Sequence, residues 1–355
     1  MKDIIAPVPV EAIMDELTRD KFFRKTNNAG NEIYVLSAHD SPNIMREIGR
    51  LREISFRDSG GGTGLDCDID DFDTREKNYF MQLIVWNPTD KAIMGGYRFL
   101  LCDGLPLDEN GQVDTPTSEL FHYSERFVQE FLPDTIELGR SFVQPDYQPS
   151  KSLSKGMYSL DNLWDGLGSL VDIFPEAKYY FGKVTMYPQL ERTSRDMILY
   201  FIQKHFPDPD RLVTVRPELD LPILADRDWL ASVLCSDNYR EDYKTLVRQV
   251  RERGAAVPPL VNAYMNLSPT LRSFGTALNP GFGLPPSIVF IMKLRLASRS
   301  IQKSVRPGIS DGSKCSTPTN STGDSALPSR ISRYGSRSST RTPIRKPWTV
   351  TERVS

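Results

Sequence analysis

The residues of this chain best equipped for chemistry lie in Glu137-Leu138-Gly139-Arg140-Ser141. They follow Thr135-Ile136 and run on into Phe142-Val143, which reads as a strand. Strict alternation predicts Glu137, Gly139 and Ser141 on one face and Leu138, Arg140 and Phe142 on the other. A carboxylate and a guanidinium on a half-buried strand are costly unless each has a partner. One reading is a structural ion pair that anchors strand to loop. The other is a site in which Glu137 takes a proton from a reacting group and Arg140 holds an anion or orients Glu137.

A second cluster is acidic: Asp68-Ile69-Asp70-Asp71-Phe72-Asp73. A calcium loop beginning at Asp66 would need glycine at its sixth position and glutamate at its twelfth. The chain has Asp71 and Lys77 there, so the motif fails, and a solvated acidic turn is the plain alternative. Ser59-Gly60-Gly61-Gly62-Thr63-Gly64 lacks the Lys-Ser/Thr end of a phosphate loop and follows no strand. It reads as the loop that ends a helix, or as a lid. Cys67, Cys102, Cys235 and Cys315 form no C-x-x-C pair, and His39, His122 and His205 are scattered. These argue against a disulfide framework and a structural zinc site, and they fit a reducing compartment.

The elements that must position these residues can be read in order. Glu11 to Phe23 has helical spacing, and Glu32 to Ala38 reads as a strand. Asp40-Ser41-Pro42 opens a helix carrying Ile44, Ile48, Leu51 and Ile54. Asn78 to Trp86 and Ala92 to Leu101 form a hairpin, and Thr135 to Val143 is the next strand. A helix follows over Tyr158 to Ile173, with Leu160, Leu163, Trp164, Leu167 and Leu170 as an apolar stripe. Tyr179 to Tyr187 is a strand, and Ser194 to His205 and Asp242 to Arg253 are helices. Val261 to Met265 and Leu271 to Ala277 look strand-like. Helices interleaved with mostly antiparallel strands predict a layered α/β (α+β) sandwich.

The chain has 355 residues, 39% hydrophobic, and a formal charge of −2 that hides an asymmetry. Thirteen basic but only three acidic side chains follow Gly283, so the rest carries about −12. From Leu284 to Ser355 the chain is rich in serine, proline and arginine. Apart from the run Ile288 to Met292 it has no sustained apolar pattern, which predicts disorder. The change after Asn279-Pro280-Gly281-Phe282-Gly283 is abrupt, as it would be if the reading frame shifted there. No stretch of about 18 apolar residues exists to span a membrane. Met1-Lys2-Asp3, followed by Pro7 and Pro9, lacks a signal-peptide core, which predicts a cytoplasmic protein.

Taken in order, Arg52…Phe56, Asp68-Ile69-Asp70-Asp71-Phe72-Asp73, Gly95-Gly96-Tyr97-Arg98-Phe99-Leu100, Glu137-Leu138-Gly139-Arg140-Ser141 and Leu163-Trp164-Asp165-Gly166-Leu167 form a recognisable series. With Asn262 to Thr270 and Phe274-Gly275-Thr276-Ala277, it resembles the hemolysin-like N-acyltransferases that make ornithine and glycine lipids. These are related to acyl-homoserine-lactone synthases within the GNAT fold. The resemblance covers Ile33 to Gly283. It implies a mixed, mostly antiparallel GNAT-like sheet flanked by helices. The domains would be an N-terminal helical segment (1–30), an acyltransferase domain (31–283) and the basic tail (284–355).

The activity implied is transfer of a long fatty acyl group, with or without a 3-hydroxyl, from acyl carrier protein to the α-amine of glycine or ornithine. This would be the first step of aminolipid synthesis, with no metal, no bound cofactor and no covalent enzyme intermediate. Chemically, the amine must lose a proton, the oxyanion needs donors, and both reactants need one cleft. Glu137 is the candidate base and Arg140 its companion. The resemblance implies that Arg52, Asp70, Asp73 and Arg98 line the acceptor pocket as an ion-pair network. It also implies that the fourth strand, at Ser141, Phe142 and Val143, splays to admit the pantetheine arm.

The loop after Val143 lacks the family's pyrophosphate clamp for coenzyme A. Lys151 and Lys155, at the start of the Tyr158 helix, could hold the single phosphate of a carrier protein instead, with acyl-CoA as the other donor. Lys151, Lys155, Lys183, Arg192 and Arg195 are candidates for docking an acidic carrier. Trp164 is the candidate for lining an acyl tunnel, although an apolar stripe is more often core. Two rival readings stand beside this one. One is a homoserine-lactone-type signal synthase. The other is a non-enzymatic protein that binds an anionic lipid surface, such as the inner membrane, or nucleic acid through the tail. The tail lacks the interleaved aromatics of specific nucleic-acid binding.

Overall fold

The computed structural model describes residues 1–152, 156–187, 189–265, 270–283 and 287–295. Its centre is an eight-stranded sheet. The strands are β1 (Phe22–Lys25), β2 (Glu32–Leu36), β3 (Met81–Asn87), β4 (Ala92–Leu101), β6 (Thr135–Val143), β7 (Tyr179–Met186), β9 (Arg272–Asn279) and β10 (Ser287–Arg295). They lie in the order β1-β2-β3-β4-β6-β7-β10-β9. The short strands β5 (Phe121–Tyr123) and β8 (Val213–Val215) pair separately. All neighbours in the large sheet are antiparallel except β6 and β7.

The helices are α1 (Val10–Glu16), α2 (Pro42–Asp58), α3 (Asp71–Thr74), α4 (Glu125–Glu130), α5 (Ser159–Ile173), α6 (Arg192–His205), α7 (Arg227–Val233), α8 (Tyr239–Glu252) and α9 (Pro259–Met265). Proline at the start of α2 costs no hydrogen bond there. The helix buries Ile44, Met45, Ile48, Leu51 and Phe56 against Tyr34, Leu36, Ile84, Trp86 and Ile93 of the sheet. The opposite face, with Ile33, Leu83, Val85, Tyr97 and Leu138, is covered by Leu163, Leu167 and Leu170 of α5 and by Ile198, Leu199 and Ile202 of α6. Each such fully buried apolar side chain contributes about 1.5–3 kcal/mol. The two layers hold the middle strands rigidly between them.

Three expectations change. Phe22 and Phe23 do not extend α1. They begin β1, where Phe22 packs edge-on against Tyr34 with centroids 5.6 Å apart. Residues 261–265 are helical, because Val261, Tyr264 and Met265 are buried at helical spacing behind two prolines that favour a helix start. The apolar run Ile288 to Met292 belongs to β10, which lies between β7 and β9 and carries the sheet beyond Gly283. A short continuous apolar run carries no periodicity to tell a strand from a helix. Of the predicted disordered tail, residues 296–355 lie outside the described residues. Among the described residues, no helix is long and apolar enough to cross a membrane.

Two irregularities of β6 shape its surroundings. Arg98 pairs with Gly139 and Gly96 with Phe142, so two residues of β6, Arg140 and Ser141, face the single Tyr97 of β4. At this bulge Arg140 takes φ +49°, a conformation that costs a non-glycine residue about 1–2 kcal/mol. In addition, β6 pairs with β7 only from Thr135–Tyr179 to Leu138–Gly182. Beyond that the two strands part, leaving a fork.

Candidate active site

Alternation fails at the bulge. Arg140 and Phe142 are carried to the face of Glu137, where Phe142 packs with Ile84 and Trp86. Ser141 is turned towards Tyr97 on the opposite face. The sequence expectation for these three is therefore corrected by one inserted residue.

On the α2 face lies a buried network of three arginines and three aspartates. Arg52 reaches Asp73 at 3.1 Å and donates to Gln82 at 2.5 Å, and Gln82 donates to the other Asp73 oxygen at 2.9 Å. Arg98 bridges Asp70 at 2.7 Å and Asp73 at 3.2 Å. Arg140 reaches Asp68 at 3.0 Å and Asp70 at 3.5 Å. One-turn α3 aims Asp73 inward, with the Asp70 N–H donating back to it at 3.4 Å. Burial opposes the charge on Asp73, but Arg52, Arg98 and that N–H outweigh it and hold the carboxyl down at about 2. Gly139 leaves room for Arg98 to cross it: a Cβ there would lie 3.3 Å from the Arg98 Nε.

Glu137 makes no pair with Arg140. It is 2% exposed, and Oε1 accepts a 2.5 Å hydrogen bond from Thr117. Its Oε2 has no hydrogen-bond partner among the described residues. Burial raises the pKa of this carboxyl, with Lys183, Thr117 and Thr115 acting the other way. Lys183, on β7 beyond the fork, donates its Nζ to the carbonyl of Pro116. Enclosure lowers its pKa to about 8, against the pull of Glu137.

The fork opens into a cavity of about 500 Å³ lined by Arg98, Glu137, Gly139, Arg140, Ser141 and Lys183. Its apolar wall includes Phe56, Phe80, Met186, Tyr187, Leu260 and Phe282. The Arg140 guanidinium lies 5.2 Å from the Phe282 ring centroid and that of Arg98 lies 4.9 Å from Phe80. A narrower cleft in the fork itself runs between Leu138–Ser141 and Tyr180–Val184 and ends at Leu260 and Tyr264 of α9.

Of the residues singled out in the sequence, the structure brings Glu137, Arg140, Arg98 and Ser141 to one cavity. Arg52, Asp70 and Asp73 stand behind the arginines, and Asp73 has both oxygens occupied, so it cannot itself grip an amine. Phe142, Val143 and Trp164 do not line the cavity. Val143 packs on the α5 side, and Trp164 lies edge-on to Tyr264 at 5.5 Å. Lys151 pairs with Asp58 at 3.3 Å, away from the cavity, and Lys155 lies outside the described residues. Lys183 is half-buried and lines the cavity, Arg195 is tied to Asp196 at 2.7 Å, and Arg192 is exposed.

The glycine loop is pinned: both Glu53 oxygens accept from Thr63 or Gly64, and the Gly283 N–H donates to the Gly62 carbonyl. No group of acidic, histidine or cysteine side chains among the described residues is placed to hold a metal. Sequence reasoning missed the roles of Lys183 and Thr117. A lysine inside Tyr179–Met186 was a readable signal, whereas Thr117 sits in a loop with no pattern to mark it.

The eight-stranded sheet forks between its two parallel strands, and the cavity lies at that fork. Residues 51–157 match the family described as acetyltransferase (GNAT) domain. Two proteins named glycine N(alpha)-acyltransferase are similar over 283 residues. The one from Phocaeicola vulgatus is 54% identical, covering 80% of this chain and 86% of its own. The one from Bacteroides thetaiotaomicron is 53% identical, covering 80% and 83%. The chain belongs to the GNAT acyltransferases, in the family of these two relatives. No solved structure gives a significant match.

Proposed function

We propose that this acyltransferase joins a long fatty acyl group, with 3-hydroxylated chains included, to the α-amine of glycine. The observation that carries the reading is the charge inventory of the cavity. Among its described lining residues Glu137 is the one acid, facing the cations Arg98, Arg140 and Lys183. A second ammonium, as in ornithine, would have no carboxylate of its own there. An amino acid without a charged side chain fits better, in keeping with the names of the two relatives.

In the proposed mechanism Glu137 takes one proton from the α-ammonium. The free amine attacks the thioester carbonyl, a C–N bond forms and the C–S bond breaks. The remaining surplus amine proton leaves with the thiolate as a free thiol, and Glu137 returns its proton to solvent. Unpaired backbone N–H groups at the fork, with the cationic wall, would stabilise the oxyanion. The thioester arm enters the fork as an extra strand, and the apolar wall takes the start of the acyl chain. Acyl carrier protein is the proposed donor and the product a lyso aminolipid, with protein and inner membrane meeting only at the surface. The test is purified protein with acyl carrier protein or acyl-CoA thioesters and glycine, ornithine or no acceptor, read by thiol release and mass spectrometry. N-acylglycine formation dependent on Glu137 is expected, and thiol release indifferent to any amino acid would end the reading.

A further inference from the structure

We infer that Lys183 and Glu137 form a two-ended clamp for a zwitterion, with Lys183 binding the α-carboxylate of the acceptor and Glu137 its α-ammonium. The inference rests on the proposed function and assigns an acceptor contact within the same cavity.

Both side chains line the cavity, Glu137 from the last paired stretch of β6, opposite Phe181, and Lys183 from β7 just beyond the point where the strands part. Opposite charges so placed would normally close on each other, yet no ion pair within 4.0 Å joins them. Glu137 keeps Oε2 without a partner although it is buried, an arrangement that costs free energy unless something else fills it. Lys183 directs one Nζ hydrogen to the Pro116 carbonyl, and an ammonium has three to give.

The other two cations of the cavity already have carboxylates beside them, although the Nε of each makes no hydrogen bond. Arg98 carries Asp70 and Asp73, and Arg140 carries Asp68 and Asp70. With Arg52 they make three arginines against three aspartates. Among the described residues, that leaves Lys183 as the cavity cation with no aspartate in contact. A molecule bearing an ammonium and a carboxylate on one carbon can satisfy both free ends at once. It would also be oriented with its nitrogen at the base, which is the geometry the attack requires.

The experiment compares glycine with glycinamide, which keeps the amine and loses the carboxylate charge, in wild type, Lys183→Met and Lys183→Arg. In Lys183→Met the KM for glycine is expected to rise about 10- to 100-fold, the loss of one charge-assisted hydrogen bond. The KM for glycinamide is expected to move less than about threefold on the same scale. Lys183→Arg, which keeps the charge, should recover much of the preference and guards against a folding defect in the methionine variant. Equal effects of Lys183→Met on both acceptors, or none on either, would overturn the clamp while leaving glycine acylation standing. Wild-type protein that acylates neither acceptor would overturn the function and the clamp together.

Discussion

Two clusters of charge lie side by side along β4, β6 and β7, and they differ in whether each charge faces an opposite one within 4.0 Å. In the first, Arg52, Arg98 and Arg140 meet Asp68, Asp70 and Asp73, with Gln82 filling the gap. In the second, Glu137 and Lys183 share a cavity, and Glu137 keeps a free oxygen. A paired buried network fixes geometry, since each charge holds its neighbour in place. An unpaired one retains interactions for a ligand. The first cluster therefore reads as the frame of the site and the second as its working part.

Four measurements put this contrast at risk. Glu137→Gln should lower turnover by about 10²- to 10⁴-fold, the usual contribution of a general base, in steady-state thiol release. Its stability to denaturant should hold or rise, because an amide removes a buried charge. Asp73→Ala should do the reverse: it strands Arg52 and Arg98 in the interior and should cost about 3–5 kcal/mol in urea unfolding. If Asp73→Ala folds normally and only loses affinity for the acceptor, the division between frame and working part is wrong.

The third measurement is pH dependence. Glu137 has its pKa raised by burial, so turnover should fall as pH drops through that raised value, and Glu137→Gln should lack this acid limb. Lys183 binds its proton less tightly folded, at about 8, than unfolded at 10.5. The unfolded chain therefore holds more protons between those values, and stability should rise from pH 8 towards 10.5. Lys183→Met should remove that rise. The smallest effect is expected for Gly61→Ala. A Cβ there would lie 2.5 Å from Tyr187 and 2.9 Å from Phe282, both of the cavity wall. Displacing two rings should cost about 1–3 kcal/mol of stability and raise the KM of the acyl donor more than that of glycine.

Much of the fold was legible from short-range pattern. Ile44, Ile48 and Leu51 marked α2, and the Asn87 to Lys91 turn marked the β3–β4 hairpin, because 3.6 and 2.0 periodicities record which face is buried. Strand β10 and helix α9 escaped. A five-residue apolar run has neither alternation nor the length to arbitrate between helix and strand. In the site, the residue types at 137, 140 and 98 were visible as charges on apolar strands and that at 73 as part of an acidic turn, but their partners were not. Ion pairing joins Arg52 to Asp73 and Arg140 to Asp68 across elements far apart in sequence.

The layers, the hairpin, the acidic turn and the presence of a carboxylate and guanidiniums on β4 and β6 were all written in the residue order. They arise from local preference and from the cost of burying charge. Which face Arg140 occupies was settled by the folded sheet, since one bulged residue reverses alternation and nothing in the neighbouring sequence announces it. The folded sheet likewise put Lys183, and not Arg140, beside Glu137 at the mouth of the fork. That neighbourhood is set by the register of two parallel strands, which is a property of the whole sheet.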